Sequence, residues 1–285
     1  LGVDTGGTFT DFVVLTDSGL QIHKEPSTPH DPSEAIRTGL ARLTATFSLC
    51  KPLASAAQVE NALFARLSAA LSYLAMADYT FATSFFAPLP ANPIRAACDI
   101  VGRADSRLDA LAGVAALFYN YTGAGGDCFD INQGQPSSIP AVDITAWTYL
   151  YCTEITLDFG GADGIHDFFA PAKPDIAGIA AACAQQFPGI VSRPSWITTH
   201  FLGRPIRGAS NIVFANGMLD PCSSGTPLTN QSASIIALNI ADGAHHSDLF
   251  ASRPSDPPSV VAARLTEQRW IAKWIAEWND VTNHL

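Results

Sequence analysis

Two stretches in the last third of the chain carry polar groups of the kind that move protons. "NGMLDP" sets Asp220 just past a short β-branched run, and "IADGAHHSDL" (240–249) sets His245 and His246 just past a second one. A carboxylate and an imidazole form a working pair: the acid orients the ring, and the ring takes a proton from a serine hydroxyl. In α/β-hydrolases the chain order is serine, acid, histidine, with the acid after one late strand and the histidine in a later loop. The serine of such sites sits in a G-x-S-x-G elbow, and none of the 21 glycines here begins one. Gly208-Ala-Ser210 comes nearest, but Ile212 stands where the second glycine belongs and the segment reads as the start of a strand. Spacing alone favours a plainer role, with Asp220 capping a turn and both histidines bonded to loop backbone.

A second constellation opens the chain. In "LGVDTGGTFTDFVV" the glycines Gly6 and Gly7 would let backbone N–H groups approach an anion, Thr8 and Thr10 offer hydroxyls, and Asp4 and Asp11 could hold a metal or its waters. Elsewhere the polar candidates are plainer. His166 beside Asp167, and His200, have no second ligand at metal spacing, so no metal site is expected. Cysteines at 50, 98, 128, 152, 183 and 222 lack the paired close spacing of zinc sites, which leaves disulfides or buried thiols. Asn120-Tyr-Thr122 and Asn230-Gln-Ser232 fit the glycan acceptor pattern, in keeping with an oxidising, secretory route.

Elements must hold these groups in place. "SNIVFAN" (210–216) and "SASIIALNI" (232–240) have the composition of buried strands, and each is followed by a polar turn. From Asp256-Pro257 onward an amphipathic helix sets Val261, Leu265, Ile271, Trp274, Ile275 and Trp278 near one side; Trp270, Trp274 and Trp278 read as packing residues. Upstream, helices are predicted over 33–43, 58–77 and 105–119, the second with Val59, Leu63, Leu67, Leu71 and Leu74 on its apolar face. "FFAPLPANP" reads as a packed extended connection, 123–143 as loop, and "TYLYCTEITL" as strand or helix. The net charge of −10, with no basic patch, argues against a nucleic-acid partner. No run of about 18 uncharged apolar residues predicts a membrane span. The start lacks the order of a secretion signal, and Leu1 leaves open a start further upstream.

From about residue 62 to 278 the chain resembles the C-terminal half of the prolyl serine exopeptidases, the family of Pro-X carboxypeptidases and dipeptidyl peptidase II. The matching stretches are "MADYTFATSFFAPLPANPIRAAC", "ALFYNYTG", "YCTEITL", "RPSWITT", "SNIVFANGMLDP", "SIIALNIADGAHHSDL" and "ASRPSDPPSVVAARL", in the family's order. The resemblance makes Asp220 the triad acid and His245 the base, with His246 a neighbour. It implies a partial α/β-hydrolase sheet (196–285) and part of an inserted helical cap (58–195) that lets only a peptide end into the cleft. By the same likeness Cys152 and Cys183 form a disulfide within the cap. Cys98 and Cys128 match positions whose usual partners lie further toward the N-terminus, so here they pair with each other or stay free. The location implied is secreted or lysosomal/vacuolar, and the substrate a peptide with proline near its end. Three features depart from the family: the absent serine elbow with its oxyanion donors, "HHSDLF" in place of "HHLDLR", and Cys222 where the proline pocket usually has tryptophan.

Residues 1–45 resemble a different family, the N-terminus of hydantoinase A and 5-oxoprolinase, of actin-like ATPase fold. That likeness assigns Asp4, Gly6, Gly7 and Thr8 to a vestigial phosphate loop; the Ala/Ser/Thr-rich stretch without firm periodicity that follows makes 46–57 a linker. One hairpin cannot enclose a nucleotide, so no cofactor is expected. The expectation is an α/β chain that descends from a proline-specific serine peptidase and shows little or no activity by itself. An ATP-dependent amidohydrolase subunit and a non-catalytic module binding peptide ends are the alternatives. A half sheet would also expose a strand edge open to self-association.

Overall fold

Three antiparallel strands open the chain: β1 (Gly2–Thr5), β2 (Phe9–Thr16) and β3 (Gly19–Pro26) pair in that order. They belong to a computed structural model that describes residues 2–5, 9–16, 19–26, 32–132, 141–156, 175–200, 206 and 208–283, with side chains from Ser33 onward. β1 pairs antiparallel with β2 and β2 with β3, while residues 6–8 and 17–18, where the sequence places turns, lie outside the described residues.

Helix α1 (Pro32–Thr46) starts on a proline, whose fixed φ suits a first helical position, and runs three residues past the predicted end. The segment after it is packed. Phe47 and Leu53 are buried, and the Thr44 hydroxyl accepts from the Leu53 N–H at 3.0 Å.

The predicted helix over 58–77 forms in three pieces: α2 (Ala56–Gln58), a π-helical segment (Val59–Phe64) and α3 (Ala65–Met76). Val59, Leu63 and Leu74 are buried as expected, but Leu71 is 44% exposed. The wider π turns explain the difference, because the extra residue rotates the following helix and brings Ala70 to the inside. "FFAPLPANP" is packed, with Ala87 and Leu89 buried, but bent rather than extended: the chain folds back so that Thr83 and Leu89 exchange backbone hydrogen bonds of 3.1 and 2.8 Å. Helix α4 (Pro93–Arg103) follows, then α5 (Arg107–Tyr119), which begins on a Ser106 hydroxyl that accepts from the Asp109 N–H. Part of "TYLYCTEITL" lies in α6 (Ala141–Thr153), which settles that stretch as helix through Thr153. Helices α7 (Ile176–Gln186) and α8 (Trp196–His200) complete the helical part.

Strands β4 (Ile212–Gly217) and β5 (Ile235–Ile240) are parallel, with Ile212 opposite Ile235 and Gly217 opposite Ile240. Between them lies a 3-10 turn (Pro221–Gly225), and helix α9 (Pro258–Asn283) closes the chain. Most positions of the two strands are half-buried, less than the buried strands expected. Among the described residues the sheet has only these two strands, so there is little to cover them.

The apolar interior falls into unequal clusters. The largest joins α3, α4, α5 and the 77–89 segment, with Leu74 and Phe118 at its centre, and it takes in Ala244 from the far end of β5. A second surrounds Leu40, Leu63 and Ile131. The third is small, with Ile240, Val260 and Ala263 packed against Ala215 and Leu238.

Two expectations need correction. Cys128 pairs neither with Cys98 nor stays free: it forms a disulfide with Cys50, across 78 residues, while Cys98 is free and exposed. Backbone hydrogen bonds from Cys50 to Phe129 and from Phe129 to Ser48 bring those two segments side by side, which sequence spacing could not reveal. On α9 the predicted apolar side is largely open to solvent, from Val261 at 45% to Trp278 at 69% exposed. The residues turned inward are instead Val260 and Ala263, because small side chains are what the shallow strand pair accommodates. Cys152 and Cys183 form a disulfide that joins α6 to α7.

Candidate active site

Because β4 and β5 are parallel and in register, the turns that follow them emerge at one edge of the sheet. Those turns are bonded to each other. Met218 N–H donates to the Ile240 carbonyl and Leu219 N–H to the Gly243 carbonyl, both at 3.0 Å. Gly217 permits the approach: a Cβ there would lie 2.6 Å from the carbonyl oxygens of Gly243 and Ala244. Behind the turns, the buried Asn216 amide donates to the Pro227 carbonyl and to Asn239, and accepts from Thr226. The strand ends and the intervening loop are thereby pinned without an unpaired polar atom on that side chain.

On this frame Asp220 and His245 meet. Asp220 Oδ2 lies 2.8 Å from His245 Nδ1, and Oδ1 accepts from the Cys222 N–H at 3.0 Å as the cap of the 3-10 turn. Both side chains are largely shielded, at 10% and 15% exposure. Burial of Asp220 favours its neutral form, but hydrogen bonds from His245 and the Cys222 backbone outweigh it and hold the carboxyl below the usual aspartate range. An ionised Asp220 requires the proton on Nδ1, which leaves Nε2 of a neutral ring free to accept one.

The base is also held from the helical side. His245 N–H donates to the Met76 carbonyl at 3.0 Å, and the buried Tyr79 hydroxyl donates to the His245 carbonyl at 2.7 Å. Burial and the nearby Asp220 charge push the Tyr79 phenol well above its ordinary range, so it stays a donor. Phe85 and Phe86 stand 6.2 and 5.9 Å from the imidazole, between ring centres. From α9, Arg264 reaches the carbonyls of Ser247 and Asp248 and pairs with Asp256 at 2.6 Å, fixing the loop beyond the histidine. Sequence reasoning missed Tyr79 and Arg264. The one signal for the arginine was its place as the charged residue in the otherwise uncharged first two turns of an amphipathic helix.

The remaining candidates are placed as follows. His246 adopts a left-handed backbone (φ 55°), and burial and the neighbouring His245 lower its pKa. Cys222 is half-buried beside the dyad; burial and Asp220 push its thiol up to about 11, so at neutral pH it is no thiolate nucleophile. The Asn120 amide donates to the Gly126 carbonyl and accepts from Gly125, while exposed Asn230 accepts from the Ala237 N–H. Ser210 is exposed just before β4, away from any elbow geometry. Asp4 and Asp11 are register partners in β1 and β2; Gly6, Gly7, Thr8, His166 and Asp167 lie outside the described residues. No helix among the described residues is long and apolar enough to cross a membrane.

Residues 33–267 match the family profile described as serine carboxypeptidase S28, and residues 1–62 match that of the hydantoinase/oxoprolinase N-terminal region. The lysosomal Pro-X carboxypeptidases of Pongo abelii and Homo sapiens are each 36% identical over 247 residues, covering 85% of this chain and 48% of theirs. At the other end, the caprolactamase subunit alpha of Pseudomonas jessenii is 57% identical over 44 residues, 15% of this chain and 6% of that protein. The chain spans about half the length of the lysosomal relatives it matches.

Proposed function

The chain belongs to the serine carboxypeptidase S28 family, and we propose that Asp220 and His245 are the acid and base of a serine exopeptidase that cleaves peptide bonds after proline. The observation that carries this reading is the 2.8 Å contact between the two side chains at the ends of parallel strands, with Nδ1 committed to the acid. In such a site the ring accepts the serine proton as the acyl-enzyme forms and returns it to the leaving amine. Phe85 and Phe86 supply an apolar wall beside the base, of the kind that suits a proline ring. Cys222 in the pocket leaves that wall less complete. The helical layer of 58–195 acts as the cap, and 196–285 as the returning part of the hydrolase sheet. A secreted or lysosomal site of action is supported by the likeness to lysosomal relatives and by two disulfides. Glycans on Asn120 and Asn230 fit the same route.

The 285 residues contain no serine elbow, so these residues by themselves form no acyl-enzyme. Residues 62–278 grafted in place of the matching half of a Pro-X carboxypeptidase test the reading directly. The chimaera is expected to cleave after proline, with His245→Ala lowering kcat by about 10⁶ and Asp220→Asn by about 10⁴. A folded chimaera indifferent to His245→Ala overturns it. Fluorophosphonate should leave the chain itself unlabelled; labelling that His245→Ala abolishes would contradict the inactivity.

The caprolactamase likeness favours a second reading for residues 1–45, a phosphate loop of an ATP-dependent amidohydrolase. It requires calorimetric binding of ATP with magnesium that Asp4→Ala removes, and a flat titration eliminates it. Self-association is supported by the unpaired outer edges of β4 and β5 among the described residues and by the exposed apolar side of α9. A concentration-dependent mass in light scattering would report it.

A further inference from the structure

One cluster among the described residues offers three different metal-ligand atoms in one place. An oxygen of Asp220, the sulfur of Cys222 and a ring nitrogen of His245 all lie within 4.8 Å of one another. We propose that this cluster is a zinc site, in which Zn²⁺ takes the place of the proton shared by Asp220 and His245 and recruits Cys222 as its third ligand.

The geometry needs little change. Zinc bonds of about 2.0–2.3 Å arranged tetrahedrally put neighbouring donors roughly 3.3–3.8 Å apart. The Asp220–His245 contact, at 2.8 Å, would open by about half an ångström, and the sulfur would close by about 1 Å. A shift of that size is within reach of a cysteine side chain turning about its first bond.

The donor set is also selective. Sulfur and imidazole together suit zinc rather than magnesium or calcium, which take oxygen. Charge balances: the thiol proton leaves to solvent, the Nδ1 proton moves to Nε2, and one carboxylate plus one thiolate neutralise the dication. The surroundings then hold the ligands in place. Asp220 Oδ1 is fixed by the Cys222 N–H, so Oδ2 is the oxygen left for the metal. The backbone of His245 is clamped by Met76 and Tyr79. Cys222 and Asp220 are two residues apart in one 3-10 turn while His245 comes from the next loop, which is why ligand spacing in the sequence gives no sign of the site.

Occupancy does not depend on the peptidase reading. Its consequence does: with zinc on Nδ1 the acid no longer orients the base, so metal binding and proton transfer exclude each other.

The test uses the full chain with its disulfides intact, titrated with Zn²⁺ against a chromophoric chelator. One zinc per chain is expected, with Cys222→Ser and His245→Ala each weakening affinity by about tenfold or more and Cys98→Ser changing nothing. Co²⁺ should show a sulfur-to-metal charge-transfer band that Cys222→Ser removes. Zinc binding unaltered by Cys222→Ser, or a cobalt spectrum without that band, overturns the proposal. The unmutated chain gives an independent measure that does not require a variant to fold. Zn²⁺ should slow alkylation of Cys222 by iodoacetamide while Cys98 reacts as before, and equal rates at Cys222 with and without zinc overturn the site.

Discussion

The helical body and the strand pair differ sharply in what holds them. Eleven residues are buried in the cluster that unites α3, α4 and α5, against three in the cluster between β5 and α9. Yet Asp220 and His245 both sit at the tips of the thinner region. The base escapes that weakness because Ala244 is buried in the larger cluster and the next residue's N–H and carbonyl are both bonded to the helical side. The acid is fixed by its own turn, which packs against α3, and by the histidine. A catalytic pair can therefore be assembled from two regions of unequal stability, with the dyad contact as the join.

The sharpest way to break that arrangement is Leu74→Ala, at a fully buried position of the helical cluster. A loss of about 4 kcal/mol is expected, and it should abolish hydrogen-exchange protection of the His245 amide, whose acceptor is Met76. Protection at β4 and β5 should fall less; equal loss in both regions would show that they unfold as one.

Tyr79→Phe isolates the link itself. It removes one donor to the His245 carbonyl while keeping the ring, and should cost about 1–2 kcal/mol in urea unfolding. The His245 side-chain resonances should shift while those of α9 hold still. Unchanged histidine resonances would mean that the hydroxyl positions nothing.

Acid should produce the smallest effect and act on the strand region first. Asp220 and Asp256 both have folded pKa values held below the ordinary range. In each, burial is outweighed by hydrogen bonds, from His245 and from Arg264 respectively. A depressed folded pKa gives stability that is complete above the unfolded value, about 3.9, and is lost as pH falls through the folded one. Unfolding free energy measured from pH 5 downward should thus decline, and Asp220→Asn should flatten part of the decline. Asp78, near the helical side of the join, has its carboxyl raised by burial and contributes with the opposite sign. Asp78→Asn should steepen the net acid loss.

Much of the site was legible in the sequence, because two β-branched runs followed by polar turns must deliver those turns to one edge once the strands are parallel. The helical segments were legible by their spacing as well. What stayed hidden depended on contacts between distant residues. Nothing in the spacing of Tyr79 or Met76 points to a histidine more than 160 positions later. On α9 the large apolar residues suggested one inward side, but a two-stranded layer accepts the side with Val260 and Ala263. Leu71 was misplaced because a π-helical segment has no clear sequence mark.

The crosslink between Cys50 and Cys128 also governs how the protein is made. Cys50 leaves the ribosome long before its partner exists, and Cys98, a free thiol, is synthesised between them. The next thiol made after it during translation is therefore the wrong one. Productive maturation requires either that α4 and α5 fold early enough to keep Cys98 apart, or that an isomerase undo the mispaired bond before the loop can close.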